Sequence, residues 1–425
     1  PNDDLAPEFS SASIKALQDG GFPTQVLPAK ERFVKAYGID SNYWKTHTAQ
    51  RAEYLPLLKS HLLDLAKHYH AQAQRSNDTA GFLVAANWYR QLLQTDPADA
   101  NLATVNQLYA EALFSAQDFP GAIREFERTA YGYTGYEKAA SAAYFGLVAW
   151  QAHADESKKK LDGSDKGKPA AEEAYRKILD DKITAALRFS RTFPGHEKSA
   201  VVLQSVIEDQ LEKKDIAGAV TTSGMLVSLN PPPPPALLKY GWQTIADGEF
   251  DLGRHKVAEF AYGKVLAFND LKPDERKTYT ERLAASVYKQ AEQLAAEGKD
   301  MEAAAEFMRV GSVVPDAGVR ATAEFDAALI YLKREQWMQA IPVLEQFRAR
   351  YPKNELAETI PDKLALAYEK TGNWAAAARE MESIHDTNLK TDAELARAAL
   401  WQAAELTAKS GDENAVMRLY NRYVT

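Results

Sequence analysis

His61, His68 and His70, with Asp64 between them, form the one cluster of side chains in this chain whose types could bind a metal or move a proton. Asp64 and His68 stand at i and i+4, and His61 lies one turn back on the same helical face. A metal needs several converging ligands with outer-shell support. No His-Glu-x-x-His occurs and the chain has no cysteine to complete a set, so the expectation is a helix surface carrying ordinary histidines.

The segment Asp162 to Gly167 has the look of a calcium loop but lacks the oxygen-ligand series and the closing glutamate. It reads as solvated loop. Phosphate-cradling glycine motifs and the Gly-x-Ser-x-Gly elbow are absent. Adjacent carboxylates such as Glu172 and Glu173 carry no acid-base signal without a pocket that perturbs them. No catalytic residue, cofactor or metal site is expected, and the chain reads as a non-enzyme.

Aromatic residues are the next candidates. Trp337 and Trp374 occupy the same place after a turn and read as packing between helices. Tyr131, Tyr133 and Tyr136 flank two glycines, where packing is favoured over ligand stacking.

The elements that hold these residues are legible from apolar spacing. Phe325, Ala328, Leu329 and Leu332 fall at i, i+3, i+4 and i+7, one stripe of a helix A. A polar turn, 333–336, follows. Trp337, Ala340, Ile341 and Leu344 then repeat the spacing as a helix B, and Tyr351-Pro352 closes the unit. Taking Ala340 as an anchor, with a bulky residue four later and a proline twelve later, the arrangement is matched in whole or in part at Ala85, Ala122, Lys182, Ala219, Ala258, Ala303, Ala377 and Ala415, the proline standing in five of the nine units. Eight of the nine anchors are alanine, and their separations are 37, 60, 37, 39, 45, 37, 37 and 38 residues. A period of this size predicts an all-α fold, an α-solenoid of antiparallel helix pairs.

Composition agrees. The 425 residues are 45% apolar and 26% charged, with a formal charge of −8 and no strongly basic region. Nucleic acid is therefore not an expected partner, and no apolar run reaches a membrane span. Residues 1–28, rich in proline and glycine, read as an extended leader or linker. Residues 29–73 read as N-terminal cap helices and the first helix A. Repeats are expected over 74–230, with a charged mobile loop near 155–170. A polyproline II spacer is expected at 231–235, and further repeats over 236–425. The absent initiator Met implies that something upstream was removed. The last unit stops short of its proline with no polar cap, so the array is expected to continue beyond 425.

Pro352, Ala365, Tyr368, Gly372, Asn373, Trp374 and Ala377 stand where a tetratricopeptide repeat (TPR) carries its closing proline, small residue, aromatic, Gly-x-aromatic turn and helix-B alanine. Over roughly 55–425 the chain resembles a TPR array, though its units are about three residues longer than the family's usual 34. The long, Ala-rich units are similar to those of bacterial envelope proteins such as the outer-membrane assembly lipoprotein BamD and the Tol-associated coordinator CpoB. They resemble still more the large TPR proteins of TonB/ExbB/ExbD energy-transducing systems. That resemblance implies a protein-binding scaffold in the Gram-negative periplasm, held to the outer membrane by an N-terminal anchor or free of it, with envelope proteins or peptides as partners. By family pattern the groove is lined by Gln107, Glu111 and Phe114 in one unit and by Asp362, Leu366, Glu369 and Lys370 in another. Two rival classes are a polysaccharide-export or cell-wall scaffold, which needs exposed aromatics grouped in one groove, and a helical accessory region of a larger enzyme.

Overall fold

The computed structural model describes residues 3–424, apart from the side chain of Gln50. The chain divides into two units, one of residues 1–215 and 229–232, the other of 216–228 and 233–425. Among the described residues every regular element is helical, so the fold is all-α, built as an α-solenoid of antiparallel helix pairs.

The first unit opens with α1 (Ala6–Asp19), α2 (Pro23–Tyr37) and the short α3 (Asn42–Thr46). The expected extended leader is therefore wrong. Its prolines begin helices instead of excluding them: Pro7 lies in the first turn of α1 and Pro23 starts α2, where no intrahelical N–H is lost. Gly21, at φ +74°, makes the turn between them. Ile14, Phe33, Tyr37, Tyr43 and Trp44 are buried together, and Trp44 Nε1 donates to the Tyr37 carbonyl at 2.8 Å.

The repeats of this unit are α4 (Arg51–Ser76), α5 (Thr79–Thr95), α6 (Leu102–Ser115), α7 (Phe119–Tyr131), α8 (Ala139–Asp162), α9 (Pro169–Thr192) and α10 (Ser199–Glu212). From α4 onward each helix packs against its sequence neighbours. The charged tract is a second correction. Asp155 to Asp162 continue α8, leaving only residues 163–168 as the turn before α9. Helical ion pairs such as Lys160 with Glu156 at 2.6 Å let a strongly charged sequence stay helical.

The second unit contains α11 (Ile216–Val227), α12 (Pro235–Asp251), α13 (His255–Leu266), α14 (Pro273–Ala296), α15 (Asp300–Val313), α16 (Arg320–Lys333), α17 (Trp337–Arg350), α18 (Ile360–Lys370), α19 (Trp374–Asn388), α20 (Ala393–Ser410) and α21 (Glu413–Val424). Here too each helix packs on the next. The five prolines are not all spacer, because Pro235 is the first residue of α12 and Pro234, at φ −51° and ψ 144°, precedes it.

The anchors fall on alternate helices, α5, α7 and α9 in the first unit and α11 through α21 in the second. Ala85, Ala122, Ala219, Ala258, Ala303, Ala340 and Ala377 have no solvent exposure. On the facing helix A, the residue twelve before the anchor is equally hidden at Ala110, Ala246, Ala291 and Ala328. Small side chains at both places let the backbones approach closely. Five residues before each of six anchors the backbone turns left-handed, at Gln117, Lys214, Gly253, Gly298, Glu335 and Gly372. This is the bend that reverses helix A into helix B.

The histidine cluster is a third correction, since it is not a helix surface. His61 and His70 are buried. His61 meets Phe33 edge-on at 4.7 Å, and burial and the Lys30 ammonium hold it below its ordinary pKa. Burial lowers His70 as well. Asp64 points outward and pairs with Lys30 at 2.6 Å.

Candidate protein-binding surface

One residue beyond the hidden position on helix A, most of these helices turn an exposed or half-buried side chain outward, whereas α20 keeps Ala404 buried. The residue eleven before the anchor is Glu111 on α6, Glu208 on α10, Asp247 on α12, Glu292 on α14, Leu329 on α16 and Leu366 on α18. A helix turns 100° per residue, so a side chain next to a buried alanine points along the rim of the packed face. Leu329, expected in the buried stripe, is 38% exposed for this reason.

The residues expected to line a groove share one register. Gln107, Glu111 and Phe114 lie 15, 11 and 8 before Ala122, and Asp362, Leu366 and Glu369 lie at the same distances before Ala377. In the first unit Gln107 Nε2 donates to Glu111 at 2.9 Å, while its oxygen accepts from Tyr136 at 2.6 Å. Phe114 packs on Phe119 with ring centroids 5.7 Å apart. In the second unit Leu366 is 43% exposed, Asp362 and Lys370 are exposed, and Glu369 meets Lys409 at 3.6 Å.

The other tyrosines of the glycine-flanked segment are also engaged within the unit. The Arg188 guanidinium lies 3.6 Å above the Tyr131 ring, and Arg128 lies 6.0 Å from that of Tyr133. That segment packs. Trp374 is half-buried against the core of the second unit, and Trp337 is half-buried.

Two depressions lie on exposed helix-A residues. In the first unit, a groove of about 410 Å³ between α8 and α10 is lined by Tyr144, Val148, Gln151, Asp155, Val201 and Ser205, with Lys182 of α9 at its back. In the second, one of about 510 Å³ is lined by Glu369, Trp401, Gln402, Glu405, Lys409 and Tyr423. The sequence reading missed the first groove. Its signal was a Gln-x-x-x-acid pair recurring at Gln107, Gln151 and Gln204.

Residues 322–354 match the family model described as tetratricopeptide repeat. That unit is a TPR. It comprises α16 and α17, and the TPR register counted from Ala340 is the one that the other anchors share. No curated protein matches the chain. Among solved structures it is similar to the P58(IPK) TPR domain, at 13% identity and a TM-score of 0.27, covering 87% of this chain and 99% of that one. It is also similar to a tetratricopeptide repeat protein from Parabacteroides merdae, at 13% identity and a TM-score of 0.24, covering 67% and 99%. Among the described residues no three His, Cys, Asp or Glu side chains are grouped to hold a metal, and no helix is long and apolar enough to cross a membrane.

Proposed function

We propose that this chain is an interaction scaffold that captures segments of partner proteins on the exposed helix-A stripe of its TPR-type repeats. The observation that carries this is the alternation of a hidden alanine with a half-buried acid or an exposed leucine at one register, Ala110 beside Glu111 and Ala365 beside Leu366. A rigid packed row thereby presents a second row that is free to touch something else. The resemblance to envelope TPR proteins supports a periplasmic site of action in a Gram-negative cell and a place in a TonB-like energy-transducing or outer-membrane assembly complex. The test is photo-crosslinking in cells with p-benzoylphenylalanine at Glu111 or Leu366, with Met338 on helix B as control. Envelope proteins crosslinked from Glu111 or Leu366 but not from Met338 support the reading. Equal or no crosslinking at all three positions rejects the stripe, and cytosolic partners reject the compartment.

One observation favours a second reading, contact with glycan by a cell-wall scaffold. Trp401, 43% exposed, lies with Tyr420 and Tyr423 at ring distances of 5.5 and 5.2 Å, beside Gln402 and Glu405. An apolar ring flanked by polar groups suits a sugar face. Retention on insoluble peptidoglycan that Trp401→Ala abolishes would establish it.

A further inference from the structure

The groove between α8 and α10 carries a chemical preference of its own. Lys158 on α8 bonds Glu212 on α10 at 2.8 Å, across a sequence separation of 54. Both helices pack on α9 between them and run in the same direction, so this contact sets their register. Val148, Gln151 and Asp155 share one face of α8 and line the groove. On α10, Val201 and Ser205 line it, and Glu208 follows them on the same face at i+7, so each helix carries an acid one turn back from that contact.

Among the described residues neither acid forms an ion pair. Gln151 Nε2 donates to one oxygen of Asp155 at 2.8 Å and Gln204 Nε2 donates to one oxygen of Glu208 at 2.9 Å. The two lysines nearest the groove are committed elsewhere: Lys158 to Glu212, and Lys182 to Asp209 at 2.8 Å. Farther along the same stripes the surface becomes apolar, with Tyr144, Leu147 and Val148 on α8 facing Val201 and Val202 on α10. Val201 is 52% exposed.

From this charge complementarity we infer that the groove docks a basic segment of a protein partner. A Lys or Arg enters between Asp155 and Glu208, and an apolar side chain about two helical turns or three extended residues away rests on Val148 and Val201. An ammonium or guanidinium supplies only donors, which is what two carboxylates one groove apart lack. An acidic segment would meet two like charges, and a purely polar one would leave the apolar floor wet. This inference rests on the scaffold reading above and names the class of segment for one part of the stripe.

The experiment is selection of a random displayed peptide library on the full chain, followed by fluorescence anisotropy of the enriched peptides. The expected result is peptides pairing a Lys or Arg with a large apolar residue, whose affinity drops with added salt. Binding should weaken at least about tenfold in Asp155→Asn/Glu208→Gln, as losing charged hydrogen bonds implies. Val201→Asp should weaken binding of an uncharged apolar analogue, which separates the floor from the charges. Unchanged circular dichroism keeps folding out of the comparison. Enriched peptides that lack basic residues, or that ignore all three substitutions, overturn the inference. If those same peptides respond to Glu111→Ala or Leu366→Ala, the scaffold reading survives. A library that yields no binding peptide sinks both.

Discussion

Lys182 and Asp209 form a buried ion pair at the one helix-B anchor that is not alanine. Nζ lies 3.0 and 2.8 Å from the two carboxylate oxygens, and Lys182 is only 6% exposed. Burial holds the Asp209 carboxyl above the usual carboxylate range, and Lys182 pulls it down only in part. Restoring the alanine alone, Lys182→Ala, strands Asp209 without a counter-ion and should destabilise the first unit by about 3 to 5 kcal/mol. Replacing both, Lys182→Met with Asp209→Leu, should recover most of that loss or exceed the starting stability. A double-mutant cycle by urea denaturation checks this, and equal loss in the single and double variants would falsify it.

The left-handed turns give a prediction of opposite sign. Glu335 adopts φ +55° where the next unit has Gly372 at φ +76°. A side chain there costs about 1 to 2 kcal/mol, offset in part by the greater freedom of glycine in the unfolded chain. Glu335→Gly should therefore stabilise the α16–α17 turn by about 0.5 to 1 kcal/mol, and Gly372→Ala should destabilise its neighbour by about as much. Hydrogen exchange of the adjoining helices reports each locally.

His61 and His70 make the first unit sensitive to acid. Both are depressed below the ordinary histidine value of 6.5 by burial, so the unfolded chain takes up protons before the folded one does. Their stabilising contribution is complete above pH 6.5, and it is lost as pH falls below that value toward the folded pKa of each residue. Unfolding of the wild type between pH 7.5 and 5 should show this loss. His61→Phe/His70→Phe should flatten the slope, and an unchanged slope would assign the effect to other groups.

The alanine anchors should resist enlargement in proportion to burial. Ala340→Leu places three more carbons where nothing is exposed and should cost about 1 to 3 kcal/mol. Ala415→Leu, at a half-buried anchor, should cost less. Thermal melts of the two variants compare them directly.

What the sequence made legible depended on how local the determinant was. The helix pairs could be read because alanine, turn and bulky residue recur within one unit. The histidines could not, because Asp64 and Lys67 lend that face a polar look while Phe33 and Tyr89, which enclose His61 and His70, come from other helices. The leader was misread because proline serves equally to stop a helix and to start one. The α8–α10 groove was hidden for a different reason. Asp155 lies within the irregular 60-residue spacing and Glu208 beyond it, so no repeat count brings them together.

The hidden alanines have a consequence for how such a chain can diversify. Because the crossings are held by methyl groups that touch only neighbouring helices, and the exposed row beside them takes no part in those crossings, recognition can be rewritten without renegotiating architecture. A change from Glu111 to the kind of residue found at Leu366 alters what is greeted and leaves what is built. The molecule keeps its grammar in one column and its vocabulary in the next.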